Sequence, residues 1–264
     1  MVVGVILCGH DGRRGIIQHA CEGQMRKTKR SEILWMQASG NIDCRRIGRN
    51  MIKNIVFDIS NVLAPFRFQE YLAEKGFDGV MIKRIIKASA MTPYWTEYEK
   101  GKLTYEEAME AFISVDPAIA GELHKAYDSC SGIMGRHDYA EGWIDALKEV
   151  GYKLYCITNF TPAGYEQCYD CISFVEKFDG CVFSFREGVA KPDPEIYKTL
   201  LRRYHLTAEE CVFIDDTEEN VLSAERLGFA GIVFTGYEDA VEKLNQIAHK
   251  KSLSKKTNGR FTEA

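Results

Sequence analysis

The chain has 264 residues, of which 45% are hydrophobic, and its formal net charge is −4. A chain of this length can form one substantial core, with or without a small accessory domain, and its slightly acidic balance argues against nucleic acid as the main partner. Its apolar runs have the length of strands and are too short for a membrane-spanning helix, and residues 1–7 lack the basic leader of a secretory signal.

The nine cysteines are odd in number and scattered along the chain. Several lie inside apolar runs, which suits reduced, buried thiols, so the cytoplasm is the expected location. Cys168 and Cys171 form a suggestive CxxC pair. No second Cys pair or His pair accompanies them at the spacing of zinc ligands, and packing in the core is therefore the preferred interpretation.

Residues 1–50 look unrelated to the rest of the chain. The stretch 3–15, followed by His19, resembles the central strands of GCN5-related N-acetyltransferases, but the loop that would bind acetyl-coenzyme A does not follow. Residues 21–50 are explained either as the out-of-frame end of an acetyltransferase gene or as an ordinary extension. In both cases we expect residues 1–50 to form no independent domain and to be poorly ordered or loosely docked.

From Met51 onward, strands and helices alternate, which predicts an α/β fold with a parallel sheet. The first apolar run ends at Asp58, and three later runs also end in polar side chains: Thr158 and Asn159, then Lys191, then Asp215 and Asp216. Open α/β sheets bind ligands at the carboxyl ends of their strands. A nucleophilic carboxylate, a hydroxyl, a fixed cation and an acidic pair are the groups that Mg²⁺-assisted phosphoryl transfer needs.

The segment 66–135, directly after the first strand, contains no convincing strand and is predicted to be an all-helical cap. Thr104 and Glu107 form a capping box that predicts a helix over residues 105–114. The core is predicted to comprise residues 51–65 and 136–249. A tail over residues 250–264, rich in Lys, Ser and Thr, is expected to be disordered.

Further elements of the core follow from their end signals. A helix is predicted over residues 139–150, before Gly151, and Asp193 with Pro194 predicts a helix start. Thr207 and Glu210 look like a second capping box. We also predict strands ending at Thr158, over residues 180–185 and over residues 231–234, and a helix over residues 219–227.

The four motifs, in this order, resemble the haloacid dehalogenase superfamily of phosphohydrolases over residues 51 to about 240. The stretches Phe57-Asp-Ile-Ser-Asn-Val62, Trp95-Thr-Glu-Tyr-Glu-Lys-Gly101 and Ala190-Lys-Pro-Asp-Pro-Glu-Ile-Tyr197 are most similar to the branch that includes α-D-glucose-1-phosphate phosphatases. The resemblance implies a Rossmann-like, three-layer core with a helical cap, Mg²⁺ as the cofactor and a small phosphorylated metabolite as the partner.

On this interpretation, Asp58 attacks phosphorus and forms an aspartyl-phosphate that water hydrolyses. The Mg²⁺ ion would be held by Asp58, the main-chain carbonyl of Ser60, Asp216 and, directly or through water, Asp215. Asn220 would orient the acidic pair. Two adjacent carboxylates repel each other unless a cation lies between them, which supports a metal site over a solvated charge pair.

Thr158 and Asn159 would donate hydrogen bonds to phosphate oxygens, and Lys191 would neutralise charge in the transition state. The alternative roles are a strand-end residue for Thr158 and a surface lysine for Lys191. Substrate choice is assigned to Trp95, Tyr98 and Glu99 with Tyr94, whose aromatic faces and carboxylate could bind a sugar ring, although such a helix face also serves for packing. Arg136 and His137 could assist, although lone basic residues in a linker are usually solvated.

The sequence departs from the commonest family pattern at Ser60. Most phosphatases of the superfamily carry a second aspartate there, which acts as general acid and then as general base, and a serine hydroxyl cannot take that role near neutral pH. The glucose-1-phosphate phosphatase branch also lacks it. The predicted function is a Mg²⁺-dependent phosphatase, with a sugar phosphate as the expected substrate. A hydrolytic dehalogenase and a non-catalytic binding or regulatory protein are the alternatives.

Overall fold

The computed structural model describes residues 51–258, with side chains described for residues 51–248. The predictions made for residues 1–50 and for the last six residues of the tail lie outside this range. Within residues 51–258, no helix is long and apolar enough to cross a bilayer.

A five-stranded parallel sheet forms the centre of this region, with the strand order β3-β2-β1-β4-β5. The strands are β1 (Asn54–Phe57), β2 (Lys153–Thr158), β3 (Gly180–Phe183), β4 (Cys211–Asp215) and β5 (Ala230–Val233). Strand β1 therefore lies between β2 and β4, which carry the predicted phosphate-binding and acidic residues at their ends.

The α-helices of the described region follow one another in chain order. They are α1 (Phe68–Glu74), α2 (Gly79–Ala88), α3 (Pro93–Glu99), α4 (Tyr105–Val115), α5 (Ala120–Tyr127), α6 (Ala140–Glu149), α7 (Pro162–Gln167), α8 (Tyr169–Ile172), α9 (Ser184–Glu187), α10 (Pro194–Tyr204), α11 (Glu218–Glu225) and α12 (Tyr237–Asn258). Short 3₁₀ turns lie at Pro117–Ile119, Ser173–Lys177 and Ala208–Glu210.

Both faces of the sheet are covered, which explains why the strands are apolar throughout. Successive side chains of a strand point to opposite faces, and in β1 Ile55 and Phe57 belong to one hydrophobic cluster while Val56 belongs to the other. Trp143 of α6 packs edge-on against Phe57, and Tyr197 of α10 packs against Phe213 on the opposite face. The predicted three-layer α/β core is confirmed.

Helices α1 to α5 follow β1 directly, as the sequence predicts for the cap. The capping box of α4 is present, with the Thr104 hydroxyl accepting from the Glu107 backbone N–H and the Glu107 carboxylate accepting from the Thr104 N–H. The two ends of the insert meet, because Phe66 and Met134 form an isolated antiparallel bridge. The assignment of residues 66–135 as a separate cap domain stays a prediction.

One detail differs from the sequence-based expectations. The Thr207 side chain makes no cap hydrogen bond, because only a 3₁₀ turn precedes β4 and no α-helix forms there. The last helix extends to Asn258, and the disorder expected over residues 250–264 stays a prediction. The other predicted helix start is present, since the Asp193 carboxylate accepts from the Glu195 N–H at the start of α10.

Candidate active site

The strand order brings the predicted site residues to one edge of the sheet. Phe57 of β1 lies beside Cys156 of β2 and Ile214 of β4. Asp58 therefore emerges between the end of β2 and the end of β4, because neighbouring parallel strands end at the same edge. The Asp58 N–H extends this pairing by donating to the Ile214 carbonyl at 2.8 Å.

Asp58 is nearly fully buried, with 5% of its surface exposed. Its side-chain Oδ1 accepts from the Ile59 N–H at 2.7 Å and lies 2.8 Å from Lys191 Nζ. Both of these contacts are made by Oδ1, so among the described residues Oδ2 is the oxygen that is available to react. Burial raises the pKa of Asp58 to about 7, although the Lys191 charge acts in the opposite direction.

Lys191 joins two carboxylates. Its Nζ lies 2.8 Å from Asp58 Oδ1 and donates to Asp215 Oδ2 at 2.6 Å, and all three side chains are buried. Burial by itself would lower the pKa of Lys191, but the charges of Asp58 and Asp215 more than offset this effect and the pKa is raised. The ammonium is therefore charged at neutral pH and held in place. The alternative role of a surface lysine is excluded by this burial.

The acidic pair at the end of β4 divides into two environments. Asp215 is fully buried and accepts from Lys191, from the Thr217 N–H and from Asn220 Nδ2, at distances of 2.6 to 3.2 Å. Asp216 is half-buried and lines the cavity described below. Asn220 of α11 thus contacts Asp215, as predicted for the residue that orients the pair.

Asp58, Asp215 and Asp216 form a carboxylate cluster. Each contributes an oxygen atom, and the three oxygens lie within 4.8 Å of one another. Lys191 can neutralise only one of these charges, so the remaining negative charge is costly in a buried setting unless a cation binds. Oxygen ligands in this number suit Mg²⁺, which keeps several waters and binds through one or two carboxylates. The residues present therefore fit the predicted ion.

Asn61 is a site residue that sequence reasoning missed. Its Nδ2 donates to Asp216 Oδ2 at 2.9 Å, and its Oδ1 accepts from the Phe66 N–H. The backbone of Asn61 has φ of 58°, a left-handed conformation that Asn tolerates better than most residues. The polar Ser60-Asn61 pair after the first strand was a usable signal for this turn.

Thr158 and Asn159 end β2 beside Asp58. Thr158 is fully buried, and its hydroxyl has no hydrogen-bond partner among the described residues. Asn159 is held by a reciprocal pair of hydrogen bonds with the Lys191 backbone, at 2.9 and 3.1 Å. The Asn159 amide thus fixes the loop that carries Lys191, a role the sequence did not indicate.

A cavity of about 230 Å³ opens beside these groups. Its volume is close to the lower end of the range for small-molecule sites. The core contributes its polar lining, namely Asp58, Ser60, Asn61, Asn159, Thr161, Lys191, Asp216, Thr217 and Asn220. The insert and the segments beside it contribute the remaining wall, namely Phe66, Trp95, Tyr98, Glu99, Tyr105, Tyr127, Cys130, Ile133, Met134, Phe160, Gly164 and Cys168.

The three predicted substrate-contacting residues of α3 all line this cavity. Trp95 also packs against other aromatic rings of the insert, stacking on Phe68 and Phe112. Tyr98 is buried. Trp95 and Tyr98 therefore combine packing with a place in the cavity lining, and their contact with a substrate stays a prediction.

Glu99 is the charged residue that α3 adds to the cavity wall. Burial raises the pKa of Glu99 to about 7, while the Trp95 side chain and the Lys191 charge lower it in part. The carboxyl is therefore divided between its neutral and charged forms near neutral pH. Its backbone carbonyl accepts from the Ser184 hydroxyl at 2.6 Å, which ties the end of α3 to the core.

This raised pKa predicts a pH-dependent effect on stability. Between the ordinary value of 4.5 and about 7, the folded protein retains a proton on Glu99 that the unfolded chain has lost, so folding is weakened as the pH rises through this range. Glu99→Gln removes the titrating group. We expect the Tm of this variant, relative to that of the wild type, to rise by roughly 2–4 °C from pH 5 to pH 8. This change corresponds to about 1 kcal/mol in the free energy of unfolding.

Thermal unfolding at several pH values checks this expectation. Glu110→Gln, at an exposed position of α4, is the matched control and should show no such trend. A constant difference between Glu99→Gln and wild type over this pH range would contradict it.

Tyr94, Arg136 and His137 lie outside the cavity lining. Tyr94 is 41% exposed. Arg136 binds Glu141, Ser173 and the carbonyls of Asp170 and Cys171, so its guanidinium anchors the chain after α7. His137 stacks on Tyr139. The CxxC cysteines are free thiols that donate to carbonyls, Cys168 to that of Cys130 and Cys171 to that of Met134.

Comparison with known proteins places this site in a family. The chain is 26% identical over 153 residues to the sesquiterpene phosphatase astK of Aspergillus oryzae, which covers 58% of this chain and 78% of that protein. It is 23% identical over 204 residues to the chloroplast flavin mononucleotide hydrolase 1 of Arabidopsis thaliana, covering 76% of this chain and 80% of the relative.

A solved structure shares the fold. The haloacid dehalogenase family enzyme of Bacteroides thetaiotaomicron, in complex with magnesium and inorganic phosphate, superposes with a TM-score of 0.55 at 23% identity, covering 69% of this chain and 93% of that chain. Residues 52–228 match the haloacid dehalogenase-like hydrolase family. This match covers strands β1 to β4 of the sheet, the helical insert and every residue of the carboxylate cluster, and the chain therefore belongs to the haloacid dehalogenase-like hydrolases.

Proposed function

We propose that this protein is a Mg²⁺-dependent phosphatase that acts on a small phosphomonoester through an aspartyl-phosphate on Asp58. The observation that carries the proposal is that the buried Lys191 contacts both Asp58 and Asp215. Lys191, Asp58 and Asp216 also line the same cavity. Relatives named as a sesquiterpene phosphatase and a flavin mononucleotide hydrolase support the same reaction class.

In the first step, Asp58 Oδ2 forms a bond to phosphorus while the bond from phosphorus to the alcohol oxygen breaks. The alcohol leaves with the electron pair and takes up a proton. In the second step, water attacks the aspartyl-phosphate, which releases inorganic phosphate and restores the Asp58 carboxylate. Lys191 neutralises negative charge on the transferring group, and the free Thr158 hydroxyl and the Asn159 loop are proposed to bind phosphate oxygens.

Asp58, Asp216 and the Ser60 carbonyl are the proposed ligands of the Mg²⁺ ion. The oxygens of Asp215 already accept hydrogen bonds from Lys191, Thr217 and Asn220, which favours contact through water for this residue. When bound, the ion supplies positive charge that screens Asp58 from the substrate phosphate.

The alcohol part of the substrate is proposed from the cavity lining and from the sequence. A sugar phosphate and the branch that includes glucose-1-phosphate phosphatases are the sequence-based proposals, resting on Trp95, Tyr98 and Glu99, which line the cavity. The relatives' names include a sesquiterpene and a flavin nucleotide, which differ widely in polarity. The common element is a small phosphorylated metabolite, and the cytoplasm stays the predicted location.

Phosphate release from a panel of phosphomonoesters, with and without Mg²⁺, tests the proposed function. Mg²⁺-dependent release of phosphate is the expected result. Release of halide from a 2-haloacid without Mg²⁺ would instead support the dehalogenase alternative, and the absence of both reactions would support a binding protein.

The serine at position 60 predicts how the rate depends on the leaving group. Without a general acid, the alcohol oxygen departs with most of its negative charge, so aryl phosphates and sugar 1-phosphates should react faster than sugar 6-phosphates. A general acid contributes roughly 10²- to 10⁴-fold, so Ser60→Asp is expected to extend turnover to the poorer leaving groups.

The measurement is kcat/KM for wild type and Ser60→Asp across monoesters of graded leaving-group pKa. A steep decline with rising pKa is expected for wild type and a shallower one for the variant. A flat wild-type profile, where chemistry limits the rate, would show that another residue, such as Glu99, supplies the proton.

A further inference from the structure

Apart from the groups proposed to bind phosphate, the cavity lining offers little to a polyhydroxylated ligand. Phe66, Trp95, Ile133, Met134 and Phe160 line the cavity with apolar atoms. Phe66 is also 38% exposed, so this apolar lining continues to the protein surface. A hydroxyl group placed against such a wall loses its hydrogen bonds to water and gains none.

The tyrosines of this wall are already engaged. The Tyr127 hydroxyl donates to the Ser89 hydroxyl at 2.7 Å, and the Tyr105 hydroxyl donates to the Tyr127 carbonyl at 3.2 Å. The Thr161 side chain lies against the Tyr98 hydroxyl. These tyrosines contribute their rings to the cavity lining, while their hydroxyl groups contact other residues of the protein.

The charged residues of the cavity lining disfavour a substrate that carries a second anionic group. Among the described residues of the wall, Lys191 is the cation, and its Nζ is held between Asp58 and Asp215. Glu99 is the charged group outside the phosphate-binding region. A second phosphate or a carboxylate on the substrate would meet no free cation there and would be repelled by Glu99 in its ionised form.

We infer that the substrate is a phosphomonoester of a predominantly apolar alcohol, whose hydrocarbon or aromatic part occupies the wall formed by Phe66, Trp95, Ile133, Met134 and Phe160. Glu99 is the group that can accept a single hydroxyl of such an alcohol. This inference rests on the proposed phosphatase function and narrows its substrate class, against the sugar phosphate that the sequence favours.

Two esters of similar size test it. Cyclohexylmethyl phosphate and glucose 6-phosphate are both monoesters of a primary alcohol on a six-membered ring, but only the second carries ring hydroxyls. With Mg²⁺ and the full chain, we expect kcat/KM to favour cyclohexylmethyl phosphate by at least about 100-fold, because several hydroxyls of the glucose ring would be buried without partners.

Binding separates this inference from the proposed function. The Kd of both esters is measured by calorimetry on the Asp58→Asn variant, which cannot turn them over. Tighter binding of cyclohexylmethyl phosphate supports the inference even if the wild type hydrolyses neither ester. Failure of the wild type to hydrolyse any phosphomonoester would contradict only the proposed phosphatase function. Equal binding, preference for glucose 6-phosphate, or binding of neither ester would overturn the inference.

A change in the wall provides a second test. Met134 is buried and lines the cavity, and Met134→Gln replaces an apolar surface by an amide of similar size. Binding of cyclohexylmethyl phosphate should weaken by about 10-fold, with no loss for glucose 6-phosphate. Met91→Gln, at a position 74% exposed and outside the cavity, is the matched control. Met134→Leu should keep the wild-type preference, and an equal loss for both esters in Met134→Gln would contradict the inference.

Discussion

The Asp58→Asn variant should fold normally and lose its turnover. The amide matches the carboxylate in shape but is not a nucleophile, so the covalent step cannot begin. Loss of covalent catalysis and positioning should lower kcat by more than about 1,000-fold. Burial already disfavours the charge on Asp58, and the neutral amide should therefore leave Tm within a few degrees of wild type.

Steady-state phosphate release and thermal unfolding check this expectation together. Asp138→Asn, at an exposed position outside the cavity, is the matched control and should retain wild-type rates. Activity of Asp58→Asn above about a thousandth of wild type would point to a different nucleophile.

Loss of the proposed metal site should reduce turnover almost as much as Asp58→Asn does. Asp216→Ala deletes the half-buried, cavity-lining carboxylate of the cluster, and EDTA removes divalent cations from the wild type. Both treatments should abolish turnover, because Asp58 would then approach an anionic phosphate without a screening cation. Mg²⁺ should raise the Tm of the wild type, since a ligand that binds the folded state stabilises it, and should have little effect on Asp216→Ala.

The same assays are applied to Asp138→Ala, which should respond to Mg²⁺ and EDTA as the wild type does. Full activity of the wild type in EDTA would remove the proposed mechanism and favour the dehalogenase alternative. A wild-type Tm that does not change with Mg²⁺ would argue against the ion site independently of any substrate.

Much of the candidate site at the carboxyl edge of the sheet was predictable from the sequence. Asp58, Thr158 and Asp215 lie at or just after the ends of short apolar runs. Such runs are typical of strands in a parallel sheet that is buried on both faces. Adjacent strands then bring these positions to one edge. Lys191 was predictable because it precedes Pro192 in a short polar frame after an apolar run, and the structure places its Nζ on Asp58 and Asp215.

The cavity wall could not be read from the sequence in the same way. Phe66, Tyr127, Phe160 and the neighbouring pair Ile133 and Met134 come from separate segments. Each is an apolar or aromatic residue whose local sequence pattern is the same whether it faces a cavity or the core. The contacts that engage the Tyr105 and Tyr127 hydroxyls join residues up to 38 positions apart.

The sequence by itself determined the fold class and the polar side chains that lie at the carboxyl ends of the strands, because these follow from local periodicity and from the carboxyl-end rule of parallel sheets. The tertiary structure decided which carboxylate Lys191 and Asn220 bind, which aromatic rings face the cavity, and that the Tyr105 and Tyr127 hydroxyls are used within the insert. Those features depend on packing between distant segments, where the free energy of each arrangement is set by neighbours that no local pattern specifies.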